Sequence, residues 1–254
     1  MTRPTPRTRG AELLLARISA AAGRASIGKR RATYAGAART SPAPAGPVRV
    51  IRGLLAFARY GRSATTTCAD ARLDMYDQGL TVAVEGRIHV VRYDTTSVSV
   101  SVSVSASASA SASQKSLRLP QRSARGGTTR TYTLTDVEGK RVVLYGGPED
   151  SGAEEWGPEI QRAVTHARLP LATAALNRGE RLTFGDVWLT REEVGSAEVS
   201  ARWPQVQQIE IQQGPIRLNI DGDWHALAHT ASEVPNLLLF CTLVERLRTD
   251  GVHS

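Results

Sequence analysis

The stretch LDMYDQGLTVAVEGRIHVVRY (73–93) decides the fold, because the sequence changes here to short apolar runs separated by turn residues. The runs are rich in Val, Leu, Ile and Tyr, which favour strands. Gln78-Gly79 and Glu85-Gly86 interrupt them as turns. The pattern predicts three consecutive antiparallel strands.

A second hairpin and a helical region follow. TYTLT (131–135) and KRVVLY (140–145) alternate polar and apolar residues around a Val-Glu-Gly turn, which indicates a β-hairpin. EEWGPEIQRAVTHARL (154–169) then places Trp156, Ile160 and Val164 on one helical face. A separate, shorter helix is predicted for 171–179, ending at Gly179 as its C-terminal cap.

The second half of the chain repeats this plan. Four or five strands are predicted, with Asp221-Gly222 as a hairpin turn; they are VWLT (187–190), AEVSARW (197–203), VQQIEIQQ (206–213), PIRLNI (215–220) and WHALAH (224–229). Pro235 then opens an amphipathic helix to about Thr249. The sequence therefore predicts an internal repeat of antiparallel strands closed by a helix.

A serine repeat occupies the end of the first copy's strand region. Serine takes every second position from Ser97 to Ser113, with four valines and then four alanines between. Val98, Val100, Val102 and Val104 are predicted to face the core of a strand. Alanine buries less apolar surface, so pairing is expected to fade near Ser105 and to give way to an irregular excursion through Gly127.

The net charge of +8 is concentrated at the N-terminus. Residues 1–50 hold ten Lys/Arg and one acid, and the remaining 204 residues hold 22 basic and 23 acidic side chains. We predict a basic, partly disordered arm over 1–70, with short helices at Ala11–Ala22 and Val48–Tyr60 and a linker at Ser41–Pro47. The strong preference for Arg over Lys is typical of a GC-rich, bacterial genome.

Six stretches resemble an uncharacterised family of bacterial proteins known only as a domain of unknown function. They are RASIGKRRATY, LDMYDQGLTVAV, VVRYDTTSV, EEWGPEIQRAVTHARLP, FGDVWLTREEVGSA and VPNLLLFCTLVERL. The likeness runs from about Ala25 to Arg248, departs at 97–127, and carries no catalytic residues. The resemblance implies an α+β fold of two tandem pleckstrin-homology-like units, each a bent antiparallel sheet or partial barrel closed by a helix, at 71–179 and 180–254.

Motifs for catalysis, metals and cofactors are incomplete. Gly23–Arg30 nearly matches a phosphate-binding P-loop, but Arg30 replaces the hydroxyl that would hold Mg²⁺. His225 and His229 would lie about 13 Å apart on a strand, too far to share a metal. Cys68 and Cys241 form no motif, and Asp221 with Asp223 shapes a turn. We predict no enzyme, no cofactor and no metal, and a reduced cytoplasmic compartment.

Two sets of residues are candidates for binding. Arg92-Tyr93 and Arg202-Trp203 occupy equivalent places in the two copies and are candidates for partner contact. Contacts to an anionic surface are expected from the basic residues of the arm and of the loop after the repeat, which are Arg17, Arg24, Lys29, Arg30, Arg31, Lys115, Arg118, Arg122 and Arg125. Few aromatic residues accompany them, so specific nucleic-acid binding is not expected.

The prediction for function is a non-catalytic binding or scaffolding protein with a protein partner. One alternative is peripheral docking of the basic arm to an anionic membrane, at its inner face, or to nucleic acid. The other is an enzyme whose site is not visible in the sequence. Glu85-Gly86-Arg87 offers one arginine and Glu192-Glu193 is acidic, which does not favour a phosphoinositide site.

Overall fold

The computed structural model describes residues 9–41, 69–104, 128–146, 153–211 and 214–251. Within them the chain is mixed α+β, with three antiparallel sheets and three helices. The first half contains α1 (Arg9–Arg24), β1 (Arg30–Ser41), β2 (Ala69–Tyr76), β3 (Gly79–Val84), β4 (Arg87–Arg92), β5 (Val98–Val104), β6 (Thr128–Thr135), β7 (Arg141–Gly146) and α2 (Ala153–Asn177). This confirms the three strands and the hairpin that the sequence predicts for this half.

The first seven strands form one open sheet in the order β4-β3-β2-β1-β7-β6-β5. Its edges are β4 and β5, and no sheet among the described residues closes into a barrel. The edge at β4 is covered, because α1 packs against β3 and β4 and Val137 N–H donates to the Val90 carbonyl. The sheet therefore has one covered edge and one edge at β5.

The predicted arm supplies the central strand of this sheet. β1 pairs with β2 on one side and with β7 on the other, so Arg30–Ser41 belong to the sheet rather than to the arm that the sequence predicted over 1–70. The sequence of β1 is mostly Arg, Ala and Thr and lacks the apolar run expected of a central strand. β1 is central because β2 and β7 pair with it on its two sides. The helix predicted at Ala11–Ala22 is present as α1, whereas the one predicted at Val48–Tyr60 lies outside the described residues.

The core of the first half lies between the sheet and the N-terminal part of α2. Trp156 is 1% exposed and packs edge-on against Tyr132, with ring centroids 5.0 Å apart. Ile160 and Val164 continue the same helical face into this core, as the spacing predicts. Val98 is buried, but Val102 is 49% exposed, so the prediction that every valine of the repeat faces the core fails at Val102.

Gly157 makes the close approach of α2 to Tyr132 possible. A Cβ at this position would lie 2.2 Å from the Tyr132 hydroxyl oxygen, and the Tyr132 side chain is fully buried. Gly157→Ala is therefore expected to lower the free energy of unfolding by about 1–3 kcal/mol, measured by urea denaturation. Gly23→Ala in α1 is the matched control, because its Cβ would meet nothing within 4 Å. It should leave stability unchanged or raise it by up to about 1 kcal/mol, and equal losses in both variants would contradict the packing explanation.

The second half contains two small sheets and a closing helix. Its elements are β8 (Leu182–Phe184), β9 (Val187–Leu189), β10 (Glu193–Gly195), β11 (Ser200–Arg202), β12 (Val206–Ile211), β13 (Ile216–Ile220), β14 (Asp223–Ala228) and α3 (Leu237–Gly251). The sheets have the orders β11-β10-β9-β8 and β12-β13-β14. Asp221 and Gly222 have φ values of 54° and 103°, which confirms the predicted hairpin turn. β8 and β10, each three residues long, were not predicted.

Each half thus has seven strands followed by a helix, in agreement with the predicted internal repeat. The two helices predicted at 154–169 and 171–179, however, are one helix, α2, that continues through Pro170. Proline leaves the carbonyl of residue 166 without its helical donor, and His166 is exposed to water, which can replace that donor. Ala172 and Leu176 at the end of α2 belong to the core of the second half, so one helix joins both cores.

Candidate functional site

Arg92 and Tyr93 are engaged inside the protein. The Arg92 guanidinium donates to both carboxylate oxygens of Asp94, at 3.1 and 2.8 Å, and to the Ala25 carbonyl. Tyr93 is 2% exposed within the first core, and this burial raises the pKa of its phenol well above the usual range. The pair therefore offers little surface to a partner.

Arg202 and Trp203 are placed differently from each other. Trp203 is 5% exposed in the second core and donates its indole N–H to the Thr190 carbonyl at 3.2 Å. Arg202 is exposed, with Glu193 3.8 Å away. Tyr93 and Trp203 thus occupy two different cores, where both aromatic rings serve packing.

The described basic residues of the arm are largely tied to neighbours. The Arg31 guanidinium contacts the Asp77 carboxylate at 2.5 Å, and Arg30 lies 3.5 Å from Asp74. Arg17 donates to the Gly86 carbonyl, and Lys29 donates its backbone N–H to Asp77. Arg24, another of the predicted contacts to an anionic surface, is exposed. Four more of them lie outside the described residues: Lys115, Arg118, Arg122 and Arg125.

The other sequence candidates form no reactive cluster. His225 lies in β14 and His229 comes directly after it, both exposed, and the described part of the chain holds no group of three metal-ligating side chains. Gly23–Arg30 runs from the end of α1 to the start of β1, so a helix precedes it where a P-loop has a strand. Burial raises the pKa of the Cys241 thiol, which disfavours the reactive thiolate. Cys68 lies outside the described residues.

An apolar groove lies where the two halves meet. Its volume is about 670 Å³, and its lining comes from β5, α2, the end of β12, the turn at Ala231–Glu233 and the start of α3. The lining residues are all uncharged: Val98, Val100, Val102, Gln161, Val164, Thr165, Ile211, Thr230, Ala231, Ser232, Val234, Asn236, Leu237, Leu238 and Cys241. Two of its aliphatic side chains remain open to solvent, since Val102 is 49% and Leu238 37% exposed. We call this site the junction groove.

Asn236 closes one end of the junction groove by pairing with β5. Its side-chain oxygen accepts from the Val98 N–H at 2.8 Å, and its own N–H donates to the Val98 carbonyl at 2.7 Å. Asn236 reaches this position with a φ of 54°, a left-handed conformation that Asn tolerates better than most residues. The contact binds the second half directly to the edge strand of the first.

None of the described residues that the sequence singled out for binding lines the junction groove, to which the repeat contributes Val98, Val100 and Val102. The other lining residues come from segments more than 50 positions away, and nothing in a linear pattern brings them together. One local signal was present in Val234-Pro235-Asn236, a helix start in the sequence. That signal places the helix but not the contact of Asn236 with β5.

The fold defines the protein as a mixed α+β chain with three antiparallel sheets, and its described residues hold no group of three metal-ligating side chains. Residues 64–251 match the model of a family of unknown function, DUF6585, and the chain belongs to this family. A comparison with curated proteins finds no match. Among the described helices, none is long and apolar enough to cross a membrane.

Proposed function

We propose that this protein is a non-catalytic binding module that takes a protein partner in the junction groove. The observation that carries the proposal is an uncharged, aliphatic groove of about 670 Å³ with solvent-exposed Val102 and Leu238. Clefts of this size and lining are the usual places for ligand binding. Exposed aliphatic side chains grouped at a concave surface mark an interaction site.

The architecture supports the same proposal. In both halves seven strands precede a helix, an arrangement similar to tandem pleckstrin-homology-like units, and we assign the fold on this basis. The basic residues of the arm favour an anionic surface less, because Arg31 pairs with Asp77 and Arg30 lies 3.5 Å from Asp74, a carboxylate that it shares with Arg72. We therefore retain the protein partner as the proposed ligand, acting in the cytoplasm.

The test compares partner capture by two surface variants. Leu238→Glu places a charge in the junction groove, whereas Leu171→Glu places the same charge on the exposed face of α2, outside the groove. A partner captured from the native cell should bind the wild type and Leu171→Glu equally and should bind Leu238→Glu at least about tenfold more weakly, since a charge is costly in an apolar contact. A partner that binds all three equally would contradict the proposal.

A further inference from the structure

We infer that the partner segment binds the junction groove as an antiparallel β-strand added to the open edge of β5, through an uncharged sequence with a small aliphatic residue at every second position. The inference rests on the proposed function and names the conformation and chemistry of its ligand. Strand addition to a free sheet edge is a general mode of peptide recognition, in which the backbone supplies affinity and alternate side chains supply specificity.

The backbone of β5 directs hydrogen-bonding groups outward along this edge. In an antiparallel ladder, successive residues direct their N–H and C=O groups alternately to one neighbour and to the other. Val98 directs both groups away from β6, to Asn236, so Val100 and Val102 direct theirs to the same outer side. Among the described residues no strand pairs there, because β5 is the last strand of its sheet.

The edge also lacks the features by which proteins usually protect an exposed strand. Such edges carry charged residues, proline or a bulge. β5 consists only of valine and serine, and its pairing with β6 runs from Val98 to Val104 without a shift in register. The opposite edge at β4 carries Arg87 and Arg92 and is covered by α1. β5 itself contacts the turn at Ala231–Glu233 and, at Val98, Asn236. Beyond these contacts, a regular strand without charged residues is suited to accept another.

The side chains beside the edge set the chemistry of the added strand. Residues directly opposite in an antiparallel pair point to the same face, so ligand residues opposite Val100 and Val102 would enter the junction groove. The groove is lined by aliphatic side chains with Thr, Ser and Gln around them and has no charged residue. Because Asn236 occupies the position at Val98, the added strand would pair with Val100–Val104, about five residues or 17 Å.

The probe is a synthetic peptide, acetyl-Lys-Thr-Val-Thr-Val-Thr-Val-Thr-Lys-amide, titrated against the full chain. Amide hydrogen exchange should show new protection at Val100 and Val102 and no change at Ser101, whose N–H already faces β6. N-methylation of the peptide valines removes the donors that face β5 and should weaken binding by about tenfold or more, whereas N-methylation of the two threonines that lie between valines should be tolerated.

A protein variant tests the same contact from the other side. Val102→Pro removes the outward N–H of Val102 and leaves the hydrogen bonds between β5 and β6 in place. Proline is tolerated where a strand's N–H faces solvent, so the variant should fold. It should abolish peptide binding. Val102→Thr keeps the N–H and should bind normally. If Val102→Pro proves unstable, the N-methylated peptides decide.

Three outcomes would overturn the inference. They are absence of peptide binding, binding that ignores valine N-methylation, and protection of Val100 and Val102 that rises with protein concentration without peptide, which would show self-pairing of β5. If one of these outcomes is found but Leu238→Glu still loses the captured partner, the proposed function stands and only the added strand is rejected.

Discussion

Trp156→Ala is expected to lower the free energy of unfolding by about 3–5 kcal/mol, the usual loss for removing a fully buried tryptophan. Trp156 lies at the centre of the first core, 1% exposed and edge-on to Tyr132. It also fixes the start of α2, the helix that continues into the second core. Urea denaturation followed by circular dichroism measures the effect without depending on tryptophan fluorescence.

Two further variants separate packing from polarity at Trp156. The buried indole N–H has no hydrogen-bond partner in the described structure, so Trp156→Phe removes an unsatisfied donor and should cost much less than the alanine variant. Trp224→Ala is the control, because Trp224 is 39% exposed and contacts Arg217 through its ring face. Its expected loss is at most about 1 kcal/mol. Similar losses for Trp156→Ala and Trp224→Ala would contradict the assignment of the core.

Asp74→Asn is expected to destabilise the protein by about 2–3 kcal/mol. The carboxylate is fully buried and accepts from Arg72 at 2.7 and 2.9 Å and from Thr33 at 2.6 Å, with Arg30 3.5 Å away. Removing one partner of a buried ion pair leaves the other uncompensated. The arginines are partly exposed, so solvent screening reduces the loss below that of a fully buried pair.

The same carboxylate predicts how stability depends on pH. Burial alone would raise the pKa of Asp74, but hydrogen bonds from Arg72 and Thr33 and the nearby arginine charges outweigh it and lower the pKa. Its contribution is therefore complete above the unfolded value of about 4 and is lost as pH falls through the lower folded value. Wild-type stability should fall below about pH 4 more steeply than that of Asp74→Asn. Asp223→Asn, at the exposed start of β14, should follow the wild type, and parallel curves for all three would refute the role of Asp74.

The sequence predicted elements well where the pattern was long and local. β2, β3 and β4, the hairpin of β6 and β7, and the Asp221-Gly222 turn all depend on neighbouring residues, and the structure has them. α2 was predicted in two parts because proline is read as a helix breaker, whereas packing in two separate cores holds it as one helix. The sequence predicted strands closed by a helix twice, but it missed β1 in the first half and β8 and β10 in the second.

What the sequence by itself determined is the mixed α+β class, the repeat, the strand at Val98–Val104 and the absence of a complete catalytic motif. Only the tertiary structure decided that the basic strand β1 lies at the centre of a sheet, that Tyr93 and Trp203 are buried, and that Asn236 pairs with Val98. Periodicity reports which side of an element is apolar, but it does not report which element covers that side. The junction groove joins residues more than 100 positions apart, so its existence depends on how the two halves pack.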